Sequence, residues 1–253
     1  TSPEDDRAAL RLARLYARTG DLPAAAKQLA GLLAEEGGQL RQVAPEITYL
    51  LRQGAKKPLA EELASAAEKA KGRLAPASLC VAGLIADGAG EDELAVSLLR
   101  RAIQTDPRFW AAYEALEQVY LAAGRFDDMD GLGRRVDKVA PEGYFRHYFL
   151  GKIAFDRGRI DQAVAELGKA RQRRASHVPT LHLLGRAHLR GRQFDDAERC
   201  LAAARALAPN DEAVLRDLVE MHLARRQLVK AAHAVALFRL RNPKGVAGRV
   251  LAA

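Results

Sequence analysis

Residues 178–211 have the sequence VPTLHLLGRAHLRGRQFDDAERCLAAARALAPND, and the pattern in this stretch decides the fold. One of its alanines, Ala197, has counterparts along the chain at intervals of 34 or 35 residues, or at twice that interval. A period in this range indicates a repeat array, in which each repeat is one supersecondary unit. Met129 stands where one alanine of the series is missing, and the series itself is Ala25, Ala60, Ala95, Ala163, Ala197 and Ala231.

Within a repeat, the apolar residues fall into two runs at helical spacing, which indicates two amphipathic helices. Small residues at recurring positions, such as Gly151 and Ala163, predict that the two helix backbones approach closely. Each repeat is therefore predicted to be a helical hairpin that is stable only when neighbours stack on it. Between the runs of several repeats lies a glycine, which tolerates the positive φ that ends a helix; these are Gly20, Gly90, Gly124 and Gly158.

The order of small, large apolar and proline positions resembles that of the tetratricopeptide repeat family. It is most complete in Leu184, Gly185, His188, Ala197, Leu201, Ala204 and Pro209. The resemblance implies an all-α fold, a right-handed superhelical solenoid of about seven helical hairpins. We expect a single solenoid over residues 1–253, in which 246–253 begin a capping or eighth helix. The predicted units are 6–39, 41–74, 76–109, 110–143, 144–177, 178–211 and 212–245.

The first residue of the chain and its two cysteines indicate the cellular compartment of the protein. No apolar run approaches the ~20 residues of a membrane-spanning helix, so membrane insertion is not expected. The chain begins at Thr1 rather than at a methionine, and we interpret it as a fragment of a longer bacterial protein. Cys80 and Cys200 lie in different repeats and are expected to stay free, which favours a reducing compartment. We therefore predict the cytoplasm, with the periplasm as the alternative for a fragment that lacks its signal.

Positive charge is concentrated in the C-terminal part of the chain. Residues 144–253 hold 21 Lys and Arg against 10 Asp and Glu, whereas residues 1–143 hold 19 against 22. This asymmetry favours an acidic partner for the C-terminal repeats. The alternative is a set of solvated arginine side chains without a partner.

In tetratricopeptide repeat proteins the first helix of each unit lines a concave groove, and the resemblance places nine partner-binding residues of this chain there. They combine aromatic rings with cations: Phe145, Tyr148, Lys152, Phe155, His182, Arg186, Leu189, Arg190 and Arg216. Such a surface suits a peptide, helix or small domain that carries apolar and acidic residues. The alternative is that Tyr148 and Phe155 only pack against the next hairpin.

Two kinds of site known from other proteins are not expected. The family's carboxylate clamp needs asparagines on successive first helices, but Asn210 and Asn242 are the only asparagines here and lie near unit ends. His182 and His188 are six residues apart, whereas two metal ligands on one helical face are three or four apart. We therefore predict no catalytic residue, no metal and no cofactor.

The sequence thus predicts a non-catalytic scaffold whose groove binds a segment or small domain of a protein partner. Family habit and the alanine- and arginine-rich composition favour a bacterial multiprotein assembly, such as a secretion, pilus or polarity complex, with a small GTPase among the candidate partners. The alternative hypothesis is a helical repeat protein that binds nucleic acid through its basic C-terminal half. Few aromatic residues outside the groove are placed to stack on bases, which argues against nucleic acid.

Overall fold

Helices make up all the regular structure of the computed structural model, which describes residues 3–35 and 40–241. The predicted helix start at 246–253 lies outside these residues. The chain divides into two compact units, residues 1–135 and 136–253, which we describe separately. The described helices are α1 (Pro3–Arg18), α2 (Leu22–Ala34), α3 (Leu40–Arg52), α4 (Lys57–Lys69), α5 (Leu74–Gly88), α6 (Asp92–Thr105), α7 (Trp110–Ala122), α8 (Phe126–Val139), α9 (Tyr144–Asp156), α10 (Ile160–Arg173), α11 (Val178–Arg190), α12 (Phe194–Leu207), α13 (Glu212–Ala224) and α14 (Leu228–Arg241).

From α7 onward the helices keep a period of 34 residues. The first helices of the pairs begin at residues 110, 144, 178 and 212, and the second helices begin at 126, 160, 194 and 228. Three residues join the two helices of each pair, which is short enough to make them antiparallel neighbours. The helix pair is therefore the structural form of the sequence period.

A glycine of the first helix meets a leucine of the second at the same point in three pairs. A Cβ atom built on any of these glycines would lie 2.6 to 2.7 Å from Cγ of the leucine. Carbon atoms in contact are about 3.5 to 4.0 Å apart, so the two helices pack more closely than a side chain at the glycine position allows. The pairs are Gly83 with Leu99, Gly151 with Leu167, and Gly185 with Leu201.

The recurring alanine near the start of the second helix is buried. Five of the six alanines and Met129 have 0% relative exposure, and Ala231 has 4%. Because these side chains face the interior of the helix pair, the alanine series marks a packing position rather than a surface position. The prediction of tightly packed helical hairpins is confirmed at these residues.

The turns between paired helices depend on one residue with positive φ. Gly158 has φ 72°, and the equivalent residues of the next two turns, Arg192 and Arg226, both have φ 57°. The same backbone hydrogen bond closes each turn; in the first, the amide of Arg159 donates to the carbonyl of Ala154 at 2.8 Å. Glycine adopts this conformation readily, whereas arginine is strained in it.

The second helix pair departs from this packing. Within the described residues, α3 and α4 share at most a marginal contact, and α5 packs instead against α2, α4 and α6. The reason lies in α5, which is apolar almost all round and has buried residues on every side; such a helix requires burial on all faces. Pro45 also lies inside α3, where it removes one helical hydrogen bond.

Replacing Gly185 by alanine tests the close approach of the helices. The added methyl group overlaps Leu201, so we expect the unfolding free energy to fall by about 1 to 3 kcal/mol. Gly168 is the matched control, because it also lies inside a helix but a Cβ built there meets nothing within 4 Å. Gly168→Ala should raise the unfolding free energy by about 0.5 to 1 kcal/mol. Similar changes for both variants in denaturant unfolding would contradict the close approach.

The turn geometry predicts a stabilising substitution. Arg192→Gly should raise the unfolding free energy by about 0.5 to 1 kcal/mol, because the strain of a non-glycine residue at positive φ exceeds the entropy that glycine loses on folding. The reciprocal change, Gly158→Arg, should lower it by a similar amount. Thermal unfolding measures both, and a destabilised Arg192→Gly variant would show that the arginine side chain contributes more than its backbone strain removes.

Candidate functional site

The first helices of the C-terminal unit, α9, α11 and α13, contact one another in chain order. They carry all nine residues that the sequence predicts for partner binding. We call the surface that these positions share the first-helix face. Helix α9 supplies Phe145, Tyr148, Lys152 and Phe155, helix α11 supplies His182, Arg186, Leu189 and Arg190, and helix α13 supplies Arg216.

The three aromatic residues of the first-helix face are buried. Relative exposure is 3% for Phe145, 6% for Tyr148 and 1% for Phe155. Phe145 stacks on Phe149 with ring centroids 5.6 Å apart, and Tyr148 meets the ring of His177 edge-on at 5.1 Å. His177 is the N-cap of α11, so Tyr148 does pack against the next hairpin. The three rings therefore lie beneath this face, and other side chains form its solvent-accessible part.

Two arginines of α11 lie over one ring of α9. The guanidinium carbon of Arg190 is 4.0 Å from the ring centroid of Phe155, and that of Arg186 is 4.9 Å away. Nη1 of Arg190 also donates to the carbonyl of Phe155 at 3.4 Å. A cation on an aromatic ring in a partly dehydrated setting is favourable. The contact therefore joins two neighbouring hairpins and holds both guanidinium groups at the surface.

Asp217 of α13 extends this cluster to the third hairpin, and sequence reasoning missed it. Its Oδ2 lies 2.6 Å from Nε2 of His182 and 3.5 Å from Nε of Arg186. The signal was present in the sequence, because the equivalent residues of the two preceding repeats are Leu183 and Phe149, both apolar. A carboxylate at a position that is otherwise apolar needs polar partners. Here they are side chains of α11, His182 and Arg186.

The remaining predicted residues differ in how accessible they are. Lys152 is partly buried and its Nζ is 3.2 Å from Oδ2 of Asp156. Leu189 is partly buried against a core cluster that α11, α12 and α13 share. Arg190 and Arg216 are exposed, and the Arg186 side chain is 41% exposed. These three arginines are therefore the most solvent-accessible cations that the sequence predicts for the first-helix face.

A buried polar pair fixes α9 against α10. Nδ1 of His147 lies 2.7 Å from Oε2 of Glu166, and Nζ of Lys169 lies 2.7 Å from the other carboxylate oxygen. Burial raises the pKa of Glu166, but the hydrogen bonds from His147 and Lys169 outweigh it and hold this pKa below its ordinary value. The pair anchors the helix that carries Phe155.

The remaining candidates for a chemical site are the metal-binding side chains and the two cysteines. They contain no group of three or more His, Cys, Asp or Glu side chains that is placed to hold a metal ion. Cys80 and Cys200 are free and buried, and burial raises the pKa of both thiols. A protonated thiol is a poor nucleophile. Among the described helices, none has both the length and the apolar character to cross a bilayer.

The sequence profile of the tetratricopeptide repeat matches residues 154–221, from the end of α9 into α13. This chain contains tetratricopeptide repeats. Its fold is an all-α helical-repeat solenoid, as predicted, and the right-handed sense of the array stays a prediction. Tetratricopeptide repeats generally form non-enzymatic scaffolds that bind protein partners.

Solved structures of similar fold cover most of the chain. The tetratricopeptide repeat protein TTC0263 of Thermus thermophilus has a TM-score of 0.58 and 21% identity, over 69% of this chain and 95% of that one. PilW, a type IV pilus biogenesis factor, has a TM-score of 0.54 and 14% identity, over the whole of both chains. Human Superkiller complex protein 3 is 27% identical over 101 residues, which are 40% of this chain and 6% of that protein. The chain thus spans a small part of that relative, and the structural likenesses concern the fold.

The lowered pKa of Glu166 predicts a dependence of stability on pH. A carboxyl group whose pKa is lower in the folded state stabilises the fold above its unfolded pKa, and this contribution is lost as pH falls through the folded pKa. Glu166→Gln should therefore be less stable than the wild type near neutral pH, and the difference should shrink below about pH 4.5. Glu220→Gln, an exposed change on α13, is the control. An equal stability difference at neutral and acidic pH would contradict the role of the His147 and Glu166 pair.

Proposed function

We propose that the first-helix face binds an acidic segment of a protein partner and that Arg186, Arg190 and Arg216 recognise its carboxylates. The observation that carries the proposal is the pair of guanidinium groups over the ring of Phe155. Stacking on the ring fixes the plane of each guanidinium, while its N–H edge stays available. A guanidinium held in this way binds a carboxylate through two parallel hydrogen bonds.

The first helices that carry these cations also carry an exposed apolar residue. Leu223 of α13, the counterpart of Leu189 one repeat later, has 49% relative exposure. Leu223 follows Arg216 by seven residues, which places both on one face of α13 about two turns apart. An exposed leucine and an exposed arginine on one helix face suit a segment in which apolar and acidic residues alternate. Asp217 already engages Arg186, so Arg190 and Arg216 are expected to contribute most to binding.

The ion pairs of the C-terminal unit favour a protein over a nucleic acid. Binding along a phosphate backbone uses a continuous track of available cations. Many cations outside the first-helix face are instead neutralised by carboxylates of the same chain: Arg146 by Asp137, Lys169 by Glu166, Arg199 by Asp196, Arg225 by Asp195, and Lys230 by Glu198.

The proposal extends to the setting of the partner. The alanine- and arginine-rich composition supports a bacterial multiprotein assembly such as a secretion, pilus or polarity complex. A small GTPase is one partner of this kind. The cations of the first-helix face are compatible with an acidic surface on any of these.

Charge reversal on the first-helix face tests the proposal. The probe is a fluorescent peptide of alternating leucine and glutamate residues, with a glutamine-for-glutamate peptide as the neutral comparison. The double variant Arg190→Glu, Arg216→Glu should bind the acidic peptide roughly tenfold more weakly, as expected for losing two partly exposed charge pairs. Fluorescence anisotropy at low and high salt measures the affinity.

Two control variants are needed. The first distinguishes the position of the reversed charges from the change in net charge, and the second distinguishes the guanidinium geometry from charge alone. Lys138→Glu with Arg205→Glu makes the same change of charge on the second helices α8 and α12 and should alter binding less than about twofold. Arg190→Lys keeps the charge but loses the planar donor pair, so its affinity should lie between those of the wild type and the reversal. Equal losses in both double variants, or tighter and more salt-dependent binding of a single-stranded oligonucleotide, would overturn the proposal.

A further inference from the structure

A cleft of about 350 Å³ lies in the N-terminal unit between α2, α4 and α5. It follows from the irregular second helix pair, in which α5 packs against both α2 and α4. Its walls include small or apolar side chains from all three elements: Ala24 from α2, Ala66 and Ala70 from α4 and its C-cap, and Leu74 from α5. A concave site of this size with mostly apolar walls is typical of small-molecule binding sites.

One polar side chain lines this cleft without a hydrogen bond to another described residue. Ser78 of α5 lines the cleft with a relative exposure of 8%, and its hydroxyl forms no hydrogen bond with another described residue. The hydroxyl oxygen is reached from the open cleft, so it is not a sealed polar group without a partner. A ligand in the cleft can therefore form a hydrogen bond with it in place of water.

The edge of the cleft is positively charged. Lys27 and Lys69 line it together with a single carboxylate, Glu62. Two other charged residues of α4 are in ion pairs, Lys57 with Glu91 and Glu68 with Arg101, whereas no described residue forms an ion pair with Lys27 or Lys69. Residues 1–143 carry more acidic than basic side chains overall. Two lysines without an ion-pair partner therefore give the edge of this cleft a charge opposite to the net charge of this part of the chain.

We propose that this cleft binds a small apolar carboxylic acid. Its hydrocarbon part packs against Ala24, Ala66 and Leu74, its carboxylate pairs with Lys27 and Lys69, and the hydroxyl of Ser78 donates a hydrogen bond to the bound acid. This site belongs to the N-terminal unit and does not depend on the partner proposed for the first-helix face.

Titration with decanoate tests the proposal, with decanol as the matched neutral ligand. Alanine methyl groups labelled with carbon-13 give a local readout by NMR at Ala24, Ala66 and Ala70. Decanoate should shift these three resonances in a saturable way, and decanol should bind roughly tenfold more weakly, which corresponds to one lost charge interaction. Absence of saturable shifts with decanoate, or equal binding of both ligands, would overturn the proposal.

Three variants assign the contacts. Ala66→Phe should abolish the shifts at Ala24 and Ala70 by filling the cleft, and because Ala66 is exposed the variant should fold normally. Lys27→Gln with Lys69→Gln should remove the preference for decanoate over decanol, and Ser78→Ala should weaken decanoate binding about threefold. Unchanged decanoate binding by Ala66→Phe would overturn the site. Saturable shifts with an apolar acidic peptide but not with decanoate would overturn the ligand class in favour of a protein segment.

Discussion

The close contact between a glycine of the first helix and a leucine of the second determines much of this structure. At Gly151 and Gly185 the leucine side chain lies where a Cβ atom would otherwise stand, so the spacing of the two helices follows from the absence of one side chain. The contact recurs after 34 residues, in α9–α10 and in α11–α12, and gives these two hairpins the same internal geometry. Residues at equivalent positions of α9 and α11 therefore come to lie beside one another. The equivalent residue of α13 is Val219, so α13 is held beside α11 by other packing contacts.

In the proposed function, the interactions that join hairpins on the first-helix face also prepare this face for binding. Phe155 belongs to one hairpin, Arg186 and Arg190 to the next, and Asp217 to the third. The ring and the carboxylate orient the guanidinium groups without removing them from solvent, and this reduces the entropy that a bound carboxylate has to offset. The same arrangement explains why Phe155 is buried although it stands at a groove position. Its ring supports the cations and is not itself exposed to a partner.

The sequence predicts the helix pairs well because their determinants are local and repeated. Ala163, Ala197 and the turn residue Gly158 each act within a single hairpin, so the period alone locates them. It does not reveal the departure around α5, because the burial of an apolar helix on all sides depends also on α2, which is distant in sequence. The cleft beside Ser78 follows from that departure and has no local signature.

Asp217 was also missed, since its partners His182 and Arg186 lie one repeat away and the family pattern gives its position no role. The burial of Phe145, Tyr148 and Phe155 depends likewise on neighbouring hairpins.

A double-mutant cycle at Gly151 and Leu167 tests the central claim most directly. If the two helices touch through this pair, Gly151→Ala destabilises the wild type because its methyl group overlaps Leu167. In the Leu167→Ala background the overlap with the leucine side chain is gone and only the 3.1 Å contact with the backbone nitrogen of residue 167 remains, so Gly151→Ala should cost much less there. Denaturant unfolding of the four proteins should then give a coupling free energy of about 1 to 3 kcal/mol. The same penalty for Gly151→Ala in both backgrounds would show that the helices are not held at the distance that this glycine permits.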